Sequence, residues 1–249
     1  MKHKKVKVFF VLLAVLGTLY AVNIFNTKNI SGLLVDAPIK LLFTTIKPSV
    51  GLCENCFDTE RIISLIDTSH NIEYRKREVT YGGVLSRRYI ERYDIKNIPA
   101  IIVSGDITNE NILGAWNSFL AEKRGDRIVI DDLLPYYDIQ SGEVKGVVSA
   151  ILLKDETCED CFDEDKYVRI LEQFGMFIGD IASYDITSPE GENLVQKYAI
   201  AKIPALILSP DASDYPEFLS SWEEVGTRED DGWLVFREVQ KLGAEYTDI

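Results

Sequence analysis

The sequence predicts an α/β protein in which one N-terminal transmembrane helix precedes two copies of a single strand-and-helix unit. Three observations carry that expectation. The chain opens on a lysine-flanked apolar run, its body repeats at an offset of 105 residues, and strand-like and helix-like segments alternate within each copy.

Residues 6–25 form the apolar run, preceded by Lys2, Lys4, Lys5 and Lys7. At ~1.5 Å per residue, a helix of that length crosses a hydrocarbon layer of roughly 30 Å. The lysines predict a cytoplasmic N-terminus and an extracytoplasmic body, a single-pass signal-anchor arrangement with the membrane as partner through the N-terminal helix. Cleavage is the alternative, with Ala21 at the cut, although Leu19 two positions earlier is not small. Five of the 27 basic residues lie in the first 28 positions, leaving 22 basic against 40 acidic residues and a formal charge of about -18. Such a body excludes nucleic acid as a partner, because a duplex needs a basic surface to release its counterions. With 46% hydrophobic residues the chain has ample material for packed cores.

The repeat begins at cysteine. Cys53, Cys56, Phe57 and Asp58 recur as Cys158, Cys161, Phe162 and Asp163. The same offset relates Tyr93, Ile95, Ile98, Pro99 and Ala100 to Tyr198, Ile200, Ile203, Pro204 and Ala205, so each proline stands 46 positions after the first cysteine of its unit. Trp116 and Trp222 follow at matching points and read as core residues. Residues 1–37 are therefore anchor and linker, 38–142 the first domain and 143–249 the second.

Within each unit the expected order is strand, Cys-x-x-Cys, helix, strand, helix, proline, strand. Leu41–Ile46 and Val147–Leu153 are β-rich apolar runs. Asp58–Asp67 and Asp163–Phe174 show helical spacing, which places the cysteines at helix N-termini. Ile101–Val103 and Leu206–Leu208 are apolar enough for central strands. Leu134–Gly146 has turn composition and is the candidate junction between the units.

A Cys-x-x-Cys opening a helix, followed by Ile-Pro leading into an apolar strand, resembles the thioredoxin superfamily. The likeness is closest in Tyr93–Ala100 and Tyr198–Ala205, and it covers about residues 38–245. Two units in one chain are similar to the tandem protein disulfide oxidoreductases and the disulfide isomerases. The resemblance implies a fold of two tandem thioredoxin-like domains after one N-terminal transmembrane helix. It further implies that Cys53 and Cys158 are nucleophilic thiols, Cys56 and Cys161 resolving thiols, and Pro99 and Pro204 cis-prolines facing them. Leu52 and Thr157 stand where the family often has tryptophan, and neither first strand carries the acid that thioredoxins bury beneath the dithiol.

Thiol–disulfide exchange needs an attacking thiolate and a second thiol within reach of the mixed disulfide. No cofactor is called for. The expected partners are thiols or disulfides of exported proteins and a redox partner that the sequence does not identify. Ile98, Pro99, Ile203 and Pro204 are candidate substrate-binding residues, because backbone beside the prolines could pair with an extended peptide. The first unit has Glu54, Asp58 and Glu60 near its cysteines, whereas the second has Asp155, Glu156, Glu159, Asp160, Asp163, Glu164 and Asp165. Negative neighbours raise a thiol pKa, so Cys53 is expected to react faster than Cys158.

Two other readings stand beside this one. Both pairs could be permanent local disulfides in a redox-inert binding scaffold, as oxidising compartments favour. Four thiolates could also hold one metal ion, although 101 residues separate Cys56 from Cys158. His3 and His70 are the two histidines, too few for a copper site or a hydrolytic triad.

Overall fold

The computed structural model describes residues 37–69, 71–158, 165–243 and 245–249. Residues 38–249 form one compact unit. Its first half runs β1 (Ile39–Lys47), α1 (Glu60–Ser69), β2 (Ile72–Thr80), α2 (Val84–Tyr93), β3 (Asn97–Ile98), β4 (Ala100–Gly105), α3 (Glu110–Ser118), β5 (Glu122–Arg124) and β6 (Arg127–Ile130). A hairpin of β7 (Tyr136–Asp138) and β8 (Glu143–Lys145) follows. The second half runs β9 (Val147–Lys154), α4 (Asp165–Gln173), β10 (Phe177–Asp185), α5 (Pro189–Lys197), β11 (Lys202–Ile203), β12 (Ala205–Leu208), α6 (Pro216–Trp222), β13 (Gly226–Arg228), β14 (Leu234–Phe236) and β15 (Thr247–Asp248).

Each half holds a five-stranded mixed sheet, ordered β2-β1-β4-β6-β5 and β10-β9-β12-β14-β13. In the first, β1 pairs parallel with β2 and antiparallel with β4. Such a strand is covered on both faces, and so its sequence is nearly continuous in apolar residues. Leu41 and Phe43 pack with Ile62, Ile63 and Ile66 of α1 and with Trp116 of α3. Ile46 and Ile102 face the other way, against Tyr93, Ile95 and Ile98. The second sheet repeats this: Ala150 and Leu152 pack with Tyr167 and Trp222, and Leu153 and Ile207 with Tyr198. Burying each large apolar side chain contributes roughly 1.5–3 kcal/mol. The outer strand β2 is lined with Glu73, Arg75, Lys76, Arg77 and Glu78, which discourages edge-to-edge pairing with other chains.

The expected fold class, two tandem thioredoxin-like domains after one N-terminal transmembrane helix, is corrected. The structure is a mixed α/β unit with six α-helices among the described residues, and none of these is long and apolar enough to cross a membrane. The longest have 10 residues, about 15 Å, half the thickness of a hydrocarbon layer, and are amphipathic. The predicted span, residues 6–25, lies outside the described residues.

The half-to-half correspondence also differs in detail from a uniform 105-residue offset. Tyr81 N–H donates to Lys47 O and Ile186 N–H to Lys154 O, each at 2.9 Å. The second elements in these pairs keep the offset of 105, but the first strands are offset by 107. The loop from strand to cysteine is two residues shorter in the second half.

Candidate dithiol site

The first cysteine pair sits in the loop that leaves the C-terminal end of β1. Cys53 and Cys56 are joined by a disulfide, with their Cα atoms 5.4 Å apart. Both are half-buried, while Glu54 and Asn55 between them are exposed. The helix begins only at Glu60, so neither cysteine occupies a helix N-terminus as its spacing suggested. Asp58 accounts for the delay: its carboxylate accepts the Glu60 N–H at 3.0 Å and caps the helix from outside. The helix dipole, which fades within the first turn, therefore acts on Cys53 only weakly.

Cys56 Sγ lies 3.6 Å from the carbonyl oxygen of Ile98, bringing the disulfide against the residue before Pro99. The Ile98–Pro99 and Ile203–Pro204 peptide bonds are both cis, as is Leu134–Pro135. On the far side of the loop, Phe57 N–H donates to Pro135 O at 2.8 Å, tying the cysteine segment to the start of the hairpin.

Backbone beside the prolines is not free. Asn97 and Ile98 pair antiparallel with Asp138 and Tyr137, and Lys202 and Ile203 with Asp248 and Thr247. Ile98 and Ile203 are fully buried. Thus β7 and β15 occupy equivalent places in the two halves. Their pairings span two residues each, too few to leave a periodic signal in sequence.

Sequence reasoning also missed the side chains that hold this backbone in place. Asp94 and Ala199, at matching points, have φ of 50° and 47°, the left-handed region that costs a residue with a Cβ. Arg124 donates to Asp94 O at 3.0 Å and to Tyr93 O at 3.3 Å, and forms a two-pronged ion pair with Asp131 at 2.9 and 2.8 Å. Asp131 also accepts the Lys96 N–H at 3.0 Å. In the second half Arg237 reaches Ala199 O at 3.3 Å and pairs with Glu229 at 2.8 Å. The two arginines come from different elements, so the 105-residue offset does not reveal their common task. An open depression of about 540 Å³ lies beside Lys96 and Asn97, lined by the already paired Arg124 and Asp131 rather than by cysteine.

Part of the charge around the two cysteine loops lies among the described residues. Glu60 is ion-paired with Lys76, whose ammonium it holds above its usual value through their hydrogen bond. Asp58 is engaged by α1. In the second half Cys158 is disulfide-bonded, and its N–H donates to Asp155 O at 3.1 Å. The Thr157 hydroxyl and amide hold Asp155 below the usual carboxylate range. The Thr187 hydroxyl and the amides of Glu156 and Thr187 do the same for Asp185. Both carboxylates are thereby held in their ionised form, Asp155 three residues before Cys158 and Asp185 on the backbone of Glu156. Cys161, Glu159, Asp160, Asp163, Glu164 and His70 lie outside the described residues. No carboxylate stands on β1 or β9, and among the described residues no group of three or more His, Cys, Asp or Glu is arranged to hold a metal ion. Sequence comparison finds no matching family model and no matching curated protein.

Proposed function

We propose that the protein exchanges disulfides with cysteines of exported proteins, with Cys53–Cys56 as its working pair. The observation that carries this reading is a half-exposed Cys-x-x-Cys disulfide whose inner sulfur rests against the Ile98 carbonyl. The contact of Cys56 Sγ with the Ile98 carbonyl suits Cys56 to resolve, which leaves Cys53 to attack. In the reduced protein the Cys53 thiolate attacks a substrate disulfide, the substrate S–S bond breaks, and one substrate thiolate leaves. The Cys56 thiolate then attacks Cys53 Sγ, breaks the mixed disulfide, and releases the second substrate thiolate, which takes up a proton. The substrate gains two electrons and the pair is oxidised. Run in reverse, the same steps oxidise a substrate dithiol; a cellular dithiol or disulfide couple restores the starting state.

Three features support the reading. The segments around Cys53 and Pro99 resemble the thioredoxin superfamily, whose members use a dithiol in this way. The loop before Cys53 exposes Val50, and two of the three acids near it, Asp58 and Glu60, are engaged elsewhere, which favours an apolar segment of substrate. The lysine-flanked apolar run in residues 6–25 is the basis for placing substrates among exported proteins.

One observation favours a second reading, a redox-inert scaffold with permanent bridges: the backbone beside both prolines is already paired within the chain. Titration of the full chain against defined thiol buffers separates the two. The oxidoreductase reading expects a midpoint between about -270 and -180 mV, lost in the Cys53→Ser, Cys56→Ser variant and kept in the Cys158→Ser, Cys161→Ser variant. If both bridges persist below about -300 mV, the scaffold reading replaces it.

A further inference from the structure

We propose that Tyr246–Ile249 is an internal strap. It fills the backbone edge before Pro204 where an extended peptide would dock, and it must lift before Cys158 can meet a protein substrate. This rests on the reading above that extended segments of partner proteins engage the cysteine loops.

The strap is tied at several points. Thr247 lies opposite Ile203 and Asp248 opposite Lys202, and Ile249 N–H donates to Ala201 O at 3.0 Å. In the alternation of an antiparallel ladder, that last bond makes Ile203 and Thr247 the mutually hydrogen-bonded pair. Lys202 Nζ sits 5.1 Å from the centre of the Tyr246 ring. Thr247 Oγ1 donates to Asp155 Oδ2 at 3.3 Å, and the carbonyl of that same Asp155 accepts the Cys158 N–H. The strap thus bridges the edge before Pro204 and the turn that carries Cys158.

Its counterpart in the first half shows what a permanent occupant looks like. β7 pairs with β3 on one side and β8 on the other, and Tyr137 packs into the buried cluster with its ring 6.0 Å from that of Tyr81. By contrast, among the described residues β15 pairs with β11 alone in its sheet, and Tyr246 and Ile249 are 37% and 49% exposed. Segments with few buried contacts and short pairings open first. The displacing partner is an extended peptide of the same pattern: an aromatic residue for Lys202, a β-branched residue opposite Ile203, and an acidic residue after it.

Alkylation of the fully reduced chain tests this. The protein is reduced with excess phosphine, treated with iodoacetamide at neutral pH, and the labelling of Cys53 and Cys158 is followed by peptide mass spectrometry. Thr247→Pro removes the N–H that pairs with Ile203. It should speed labelling of Cys158 roughly tenfold, as loss of a couple of net hydrogen bonds would, and leave Cys53 unchanged. Adding the free peptide Glu-Tyr-Thr-Asp-Ile, blocked at both ends, should slow Cys158 again. An unchanged Cys158 rate, equal acceleration of both cysteines, or a peptide without effect overturns the strap. Because the chain is reduced beforehand, bridges that resist thiol buffers would remove the oxidoreductase reading without altering this result.

Discussion

Asp185 does its work through three hydrogen bonds. Its carboxylate accepts from the Thr187 hydroxyl and from the amides of Thr187 and Glu156, and thereby pins the turn before α5 to the loop that leads to Cys158. These bonds hold it below its ordinary value of 3.8. A carboxylate depressed by folding stabilises the native state wherever it is ionised in both states, so its contribution is complete above about pH 4 to 5 and fades as pH falls through the depressed value. Asp185→Ala should therefore melt lower than the parent at neutral pH, and the gap should close as the pH is taken well below 3.8. Thermal melts between pH 2.5 and 7 read this directly; a gap that stays constant down to pH 2.5 would contradict it.

Among the elements, the hairpin β5–β6 acts on the dithiol site from a distance. Arg124 on β5 and Asp131 just after β6 fasten the turn at Tyr93–Lys96, and that turn sets the position of β3 beneath Cys56. The Asp131 side chain is 7% exposed and that of Arg124 21%, so removing the cation leaves a largely buried carboxylate without its partner. Arg124→Ala should cost about 2–4 kcal/mol in urea unfolding, well above the roughly 0–1 kcal/mol of a surface pair. A loss under about 1 kcal/mol would reduce this cluster to a surface feature. None of it was legible in the sequence. An arginine on a short strand and an aspartate seven residues on look like any exposed pair, and the carbonyl partners of the arginine lie some 30 residues away. β1, β4, β9 and β12 were legible, because strands buried on both faces must be largely apolar. Trp116 and Trp222 were legible as core from their matching points in the two copies, and their indole N–H groups find Ile107 O and Thr227 O. The start of α1 was misjudged by two residues because Asp58 caps the helix instead of entering it. Tyr136–Asp138 reads as turn composition, yet forms β7, since its pairing with β3 depends on a contact some 40 residues back that no local pattern records.

At the scale of the whole molecule, the β7–β8 hairpin joins the two sheets by more than covalent continuity. β7 is bound to the first half through β3, while Leu134 packs in the core of the second and Tyr215 Oη donates to Gly146 O at 2.6 Å. Residues 38–249 should accordingly unfold as one cooperative body. Fluorescence can report the halves separately: Trp116→Phe leaves Trp222 and Trp233 in the second half, and the double variant Trp222→Phe, Trp233→Phe leaves Trp116 in the first. Coincident urea transitions, corrected for each variant's own stability by far-UV circular dichroism, are expected; resolved midpoints would divide the body in two.

The shorter loop of the second half bears on what the duplication has held constant. Lys47 precedes Cys53 by six positions and Lys154 precedes Cys158 by four, yet each first cysteine stands 46 positions before its proline. The anchorage of the cysteines to the sheet has drifted between the copies, while the contour length from cysteine to proline has not. What the two halves share is a measured span of chain between sulfur and ring, and the strand that launches it is free to be trimmed.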